Sequence, residues 1–185
     1  SLKQLEITMK LFCTFVFLLL IGGIANAQLT EPKTPTPSPQ EPQFRSEEIM
    51  FKSTGDVTLA GSLRLTNGKG PFPAIVLLGG SERLSRSAIY NWASASEFLN
   101  KGIAVFSFDS PGRGKSEGDR WGRTQKERTD DALAAFKAIA SREEINKKCI
   151  GLYGTSEGGV VSFRAMAESK DIAFAVTISA PAIPG

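Results

Sequence analysis

The chain contains four short apolar runs, each separated from the next by a segment with a helical pattern. The runs are FPAIVLLGG, IAVFSFD, KKCIGLYG and IAFAVTISA. An apolar run of this length without a polar face is expected of a strand that is buried on both faces of a sheet. Neighbouring parallel strands need a long crossover, usually a helix, between them. The alternation therefore predicts an α/β fold with a mostly parallel sheet.

Two further strands precede the first buried run. Residues 47–53 and 56–65 alternate apolar and polar side chains, and Thr-Gly-Asp lies between them. Alternation of this kind predicts strands with one buried face, and the intervening glycine favours a tight connection. We therefore expect an antiparallel hairpin at the start of the globular domain.

Three segments between the buried runs have the spacing of amphipathic helices. Residues 90–102 place Trp92, Phe98 and Leu99 at helical spacing and end at a glycine. In residues 124–141, Thr124 is a candidate N-cap, and a glutamate three residues later completes a capping box. Residues 157–169 form the third predicted helix.

The first 43 residues have a different composition. Residues 1–27 read as a signal peptide whose natural start is Met9, so that residues 1–8 lie upstream of it. Its apolar core of about eleven residues is too short to span a bilayer, which takes about 20 residues. We expect cleavage after Ala27 and a secreted or periplasmic protein without a stable membrane anchor; a retained anchor is the alternative. Residues 28–43 contain five prolines and predict an extended linker to a globular domain over 44–185.

The charged residues exclude some classes of function. There are 22 basic and 19 acidic residues, giving a net charge of +3, and they are interleaved without the basic stripe that nucleic-acid binding requires. The chain has two cysteines and no histidine, which cannot form a zinc-type ligand cluster. We therefore predict no nucleic-acid partner, no metal and no cofactor.

A serine between glycines follows the third buried run directly. Ser156 lies in the segment GTSEGG, a G-x-S-x-G frame between a predicted strand and a predicted helix. Such a turn holds a serine in a strained conformation that projects its hydroxyl, and Gly154 and Gly158 avoid collisions with the strand and the helix. We predict that Ser156 is a catalytic nucleophile; the alternative is a plain glycine-rich turn.

Three segments together resemble the α/β-hydrolase superfamily: GTSEGG, LLGGSE after the first buried run, and DSPGRGKSEG after the second. Within it they are similar to secreted serine esterases near the serine aminopeptidases and prolyl-oligopeptidase-type hydrolases. The resemblance covers residues 47 to about 181 and implies an oxyanion hole of two backbone N–H groups, those of Glu157 and Ser81. Gly79 stands where the superfamily commonly has a histidine, and Gly80 lets the backbone approach.

In DSPGRGKSEG the resemblance implies structural roles for Asp109 and Ser116 beside the nucleophile. The letters G-K-S also suggest a phosphate-binding loop, but that motif needs a glycine where this chain has Asp109. A carboxylate would repel a phosphate, which argues against nucleotide binding. We also expect the Glu157 side chain to have no catalytic role.

A serine nucleophile needs a base, and this sequence has no histidine. In the superfamily the acid and the histidine follow the nucleophile along the chain. We therefore expect a fold truncated after about six strands and inactive as residues 1–185 alone. We expect its full-length form to cleave a small-molecule ester or a peptide. A natural pseudoenzyme, a serine activated by lysine and a non-catalytic binding module remain alternatives.

Overall fold

The structure is a computed structural model that describes residues 44–93 and 95–181. The predicted signal peptide and proline-rich linker lie outside the described residues. None of the helices in the described part of the chain has the length and apolar character needed to cross a membrane.

Within the described residues, six strands form one sheet, as the sequence predicts. The strands are β1 (Arg45–Lys52), β2 (Thr58–Leu65), β3 (Phe72–Leu78), β4 (Ala104–Phe108), β5 (Ile145–Thr155) and β6 (Phe174–Ile178). Their order across the sheet is β1-β2-β4-β3-β5-β6. The pair β1–β2 is an antiparallel hairpin joined by a short 3-10 turn, and β2 also runs antiparallel to β4. The other pairs are parallel, so the fold is the predicted mostly parallel α/β sheet with an antiparallel edge.

In the part of the chain that the structure describes, four α-helices accompany the sheet: α1 (Arg86–Trp92), α2 (Ser96–Asn100), α3 (Gln125–Ala140) and α4 (Glu157–Glu168). The capping box predicted at the start of α3 is present, because the Thr124 hydroxyl accepts from the Glu127 N–H and the Glu127 side chain accepts from the Thr124 N–H. This arrangement satisfies two backbone donors that have no partner inside the helix.

The prediction of one helix over residues 90–102 is wrong. The structure has two shorter helices, α1 and α2, and the first begins four residues earlier. The first helix ends at Trp92, and the Ala95 N–H, just before α2, donates to the Tyr90 carbonyl at 3.3 Å, which is a wider turn than the α-helical one. The sequence Ala-Ser-Ala-Ser at this point favours the break, because serine hydroxyls compete for backbone hydrogen bonds.

The core lies between the sheet and its helices and contains a cluster of three phenylalanines. The Phe51 ring centroid lies 5.8 Å from that of Phe106 and 5.7 Å from that of Phe108. Burial of each such ring stabilises the fold by about 1.5–3 kcal/mol. This core anchors β4 and β3, whose carboxyl ends carry the loops described next.

Four parallel strands, β3 to β6, end at the same edge of the sheet. The loop at 79–81 follows β3, the loop beginning at Asp109 follows β4, and Ser156 follows β5. Ligands of open α/β sheets bind beyond this edge. The topology thus brings all the predicted site residues to one side of the molecule.

Candidate active site

Ser156 lies at the junction of β5 and α4 with a backbone conformation that is rare for residues other than glycine. Its φ is +50° and its ψ is −121°, and the residue is exposed. Its N–H donates to the Ile178 carbonyl at 2.9 Å, and its carbonyl accepts from the Gly159 N–H at 3.0 Å. These bonds to β6 and α4 hold the strained turn in place, as the sequence pattern predicts.

The glycines around Ser156 permit close backbone packing. A Cβ atom on Gly158 would lie against the Leu78 carbonyl oxygen and 2.7 Å from the Gly79 carbonyl oxygen. A Cβ atom on Gly154 would collide with the backbone of Gly158. The first turn of α4 therefore packs directly on the end of β3, and side chains at these positions would push the nucleophile away from the loop at 79–81.

The loop after β3 lies against the nucleophile. A Cβ atom built on Gly80 would be 3.4 Å from the Ser156 Cβ, so a side chain at position 80 would touch the serine. Within the described residues, the backbone N–H groups of Glu157 and Ser81 make no turn, loop or cap hydrogen bond to a backbone carbonyl. Two backbone donors at a helix N-terminus and in a neighbouring loop are what an oxyanion hole requires. The predicted role of each N–H remains a prediction.

Two arginines and a glutamine hold the Glu157 side chain. Arg83 Nη1 lies 3.1 Å from Glu157 Oε2, Gln125 Nε2 donates to Oε1 at 2.5 Å, and Arg128 Nη1 pairs with Oε2. Burial alone would raise the pKa of Glu157, but Arg128 and Arg83 outweigh burial and hold the pKa below its usual range. A carboxylate paired in this way is a poor proton acceptor, which agrees with the expectation that this side chain is not a catalytic base.

Arg128, on the first turns of α3, also contacts the loop after β3. Its Nη2 donates to the Gly79 carbonyl at 2.9 Å and to the Gly80 carbonyl at 3.0 Å. Sequence reasoning missed Arg83, Gln125 and Arg128. No motif marks these residues, and an arginine on an amphipathic helix ordinarily faces solvent, so only the tertiary contacts identify them.

The loop after β4 has the structural role that the resemblance implies. The Ser116 hydroxyl donates to the Asp109 carbonyl at 2.7 Å and accepts from the Ala60 N–H at 3.0 Å. The Asp109 carboxylate accepts from the backbone N–H groups of Arg86 and Lys115 at 2.8 and 3.0 Å, and only 2% of the residue is exposed. The carboxylate is thus occupied by internal donors that brace this loop.

The site as described lacks a base for the serine. The sequence contains no histidine, and in the described part of the chain the Ser156 hydroxyl makes no hydrogen bond that caps α4. Among the residues that the structure describes, no three potential metal ligands come together. Within the described residues the arrangement offers a projecting hydroxyl and two amide N–H groups, and the sequence has no histidine that could accept the hydroxyl proton.

Comparison with known proteins places this site in a family. The family model described as serine aminopeptidase, S33, matches residues 72–185. An uncharacterised 31.7 kDa protein of Escherichia coli is 30% identical over 114 residues, which are 62% of this chain and 39% of that protein. Esterase FrsA of an Enterobacter strain is 30% identical over 120 residues, 63% of this chain and 27% of the esterase.

A solved structure of an esterase from Pyrococcus furiosus superposes with a TM-score of 0.65 at 27% identity, covering 81% of this chain and 55% of the esterase. This chain spans well under half the length of its two sequence relatives: 39% of the Escherichia coli protein and 27% of Esterase FrsA. The family model includes the loop after β3, the loop after β4 and the Ser156 turn. The chain belongs to the serine aminopeptidase (S33) family of the α/β-hydrolase superfamily.

Proposed function

We propose that the protein to which this chain belongs hydrolyses carboxylic esters through an acyl-enzyme on Ser156. The observation that carries the proposal is the strained, exposed turn at Ser156 beside the backbone of Gly80. The names of the Enterobacter and Pyrococcus relatives, both esterases, support an ester in preference to other acyl compounds.

In the proposed reaction the Ser156 Oγ attacks the ester carbonyl carbon and loses its proton to a base. The carbonyl oxygen becomes an oxyanion and accepts hydrogen bonds from the N–H groups of Glu157 and Ser81. Each such donor contributes roughly 3 kcal/mol of transition-state stabilisation. The alcohol leaves with the proton from the base, and water then hydrolyses the acyl-enzyme by the same route.

We propose that the base is a histidine, oriented by an aspartate or glutamate, in a part of the protein beyond this chain. The superfamily's chain order and the partial coverage of the relatives support this assignment. Without the base the hydroxyl keeps its proton, so we expect residues 1–185 alone to have negligible turnover. A small-molecule ester is the proposed substrate, with no cofactor.

A peptidase is the second candidate, because the family model carries the name of an aminopeptidase. The Ser156 turn could act on an ester or on an amide. An amide is the poorer acyl donor, so its cleavage also requires that the leaving amine be protonated. The full-length protein should hydrolyse a p-nitrophenyl ester and should hydrolyse an aminoacyl p-nitroanilide no faster than its Ser156→Ala variant does. Hydrolysis of the anilide that depends on Ser156 would favour the aminopeptidase.

We also propose that the protein is exported, with cleavage after Ala27, and that residues 28–43 form a spacer before the domain. Support comes from the apolar run and the small-x-small site in the sequence. Sequencing the mature N-terminus tests this proposal. A start at Gln28 supports it, and an N-terminus that retains Met9 contradicts it.

A burst experiment tests the esterase proposal. The full-length protein and its Ser156→Ala variant are mixed with a p-nitrophenyl acyl ester, and residues 1–185 serve as a third sample. We expect a burst of p-nitrophenol from the full-length protein alone. A burst that survives Ser156→Ala would contradict the role of Ser156, and no hydrolysis of any ester would favour a non-catalytic binding module.

A further inference from the structure

We propose that Arg128 is a positioning residue for the oxyanion hole, which it orients through the two carbonyl groups at 79 and 80. This inference rests on the proposed function, since it concerns the same site. It assigns a role in the reaction to a helix residue that touches neither the substrate nor the nucleophile.

The contacts of Arg128 converge on the two elements that supply the proposed donors. Its Nη2 donates to the Gly79 and Gly80 carbonyls at 2.9 and 3.0 Å. Its Nη1 pairs with the carboxylate of Glu157, the first residue of α4. Only 12% of the Arg128 side chain is exposed, so water competes weakly for these contacts.

Peptide geometry turns these contacts into an orientation for the donors. In a trans peptide the C=O and the following N–H lie in one plane and point in opposite directions. Fixing the Gly80 carbonyl on Arg128 therefore fixes the Ser81 N–H on the opposite side of the same peptide. The Gly79 carbonyl fixes the Gly80 N–H in the same way. Glycine at both positions makes the loop conformationally permissive, so an external clamp is needed to hold one orientation.

The same guanidinium links the two halves of the oxyanion hole. Glu157 carries one proposed donor on its own backbone, while its side chain binds Arg128 and Arg83. Arg83 follows the loop at 79–81, so both arginines tie that loop to the start of α4. Movement of the loop away from α4 would break an ion pair with little access to solvent, which restricts the distance between the two N–H groups.

Lysine cannot reproduce this arrangement. A guanidinium presents five N–H donors in a planar fork, whereas an ammonium is a compact point charge on a flexible stem. Arg128→Lys keeps a positive charge for Glu157 but loses the simultaneous contacts with two carbonyl oxygens. The lysine variant therefore separates the effect of charge from the effect of geometry.

The test uses the full-length protein with Arg128→Met, Arg128→Lys and a matched control, Arg123→Met. Arg123 and Arg128 both line a small cavity at the carboxyl end of β3. The Arg123 side chain is similarly buried, but its ion pairs are with Asp131 and Glu127 and not with Glu157. The measurements are kcat and KM for a p-nitrophenyl ester, the affinity for a trifluoromethyl ketone, and hydrogen–deuterium exchange of peptides that cover residues 79–84.

We expect Arg128→Met to lower kcat about 10- to 100-fold. This loss is smaller than the roughly 10²- to 10³-fold loss that follows removal of an oxyanion-hole donor itself. The KM of the variant should stay within about threefold of the wild-type KM. The affinity of Arg128→Met for the trifluoromethyl ketone should fall by the same factor as its kcat/KM, and hydrogen exchange at residues 79–84 should accelerate. In each of these measurements Arg128→Lys should lie between wild type and Arg128→Met. Arg123→Met should leave kcat and the exchange of this loop within about threefold of wild type, even where it lowers Tm.

Unchanged exchange at 79–84 in both Arg128 variants would overturn the inference, as would a kcat/KM within twofold of wild type. An equal loss of kcat in Arg123→Met would reduce the effect to general destabilisation and would also overturn it. A wild-type protein without esterase activity would contradict the proposed function instead. The exchange measurement needs no turnover and decides in that case whether Arg128 holds the loop.

Discussion

The backbone strain at Ser156 predicts that glycine is more stabilising than alanine at this position. Both substitutions remove the hydroxyl, so its loss cancels from the comparison. Alanine keeps the Cβ atom at φ +50° and ψ −121°, a conformation that costs about 1–3 kcal/mol for a residue with a side chain. Glycine avoids this cost but loses about 0.4–1 kcal/mol through the greater entropy of its unfolded chain.

The difference leaves Ser156→Gly more stable than Ser156→Ala by about 1 kcal/mol. With a urea dependence of about 2 kcal/mol per molar, the unfolding midpoint of the glycine variant should be higher by about 0.5 M. Circular dichroism during urea denaturation measures both midpoints, and no catalytic activity is needed for the assay.

Ser141 provides a matched control, since it has an ordinary helical conformation with φ −79° and ψ −7°. There the order should reverse, with glycine less stable than alanine by about 0.4–1 kcal/mol. Equal midpoints for the two Ser156 variants, or a higher midpoint for Ser156→Ala, would refute the claim that the nucleophile turn is strained.

Further perturbations test the surroundings of the nucleophile. Gly158→Ala should lower the free energy of unfolding by about 1–3 kcal/mol in urea denaturation, because the new Cβ would collide with the Leu78 carbonyl oxygen. A variant as stable as wild type would contradict the close packing of α4 on β3. Ser116→Ala should cost about 1–3 kcal/mol in the same assay, since the buried Ala60 N–H loses its acceptor; a change below 0.5 kcal/mol would show that water replaces the hydroxyl. Glu157 has a lowered pKa, so the stability advantage of wild type over Glu157→Gln should be present above about pH 4.5 and shrink as the pH falls through the folded-state pKa. An advantage that is constant between pH 3 and 7 would contradict the ion pairs.

The fold was predictable from the sequence because its elements have strong local signals. The buried runs have no polar face, the Thr124 capping box is explicit in the letters, and parallel topology follows from the helices between strands. The break between α1 and α2 was not predictable from apolar spacing alone. The break coincides with a wide turn at Ala95, which the spacing of apolar residues does not indicate.

For the candidate site, the sequence indicates the residues that lie in motifs and gives no sign of the others, and the catalytic roles of the motif residues stay predictions. Backbone geometry constrains which residue types can stand at Ser156 and at its neighbouring glycines, so these positions form a recognisable sequence motif. Arg128 reaches the loop at 79–81 from a helix 48 residues further along the chain. Its contacts arise only when α3 packs beside the ends of β3 and β5. Long-range side-chain contacts of this kind have no local pattern in one sequence.

The most direct test of the central claim is to identify the residue that a fluorophosphonate probe modifies in the full-length protein. The probe forms a stable phosphonyl ester with an activated serine, and tryptic peptides analysed by mass spectrometry locate it. We predict one modified site, at Ser156, and no modification of the Ser156→Ala variant. Modification of another serine, or none under conditions that label an active serine esterase, would contradict the claim that Ser156 is the nucleophile.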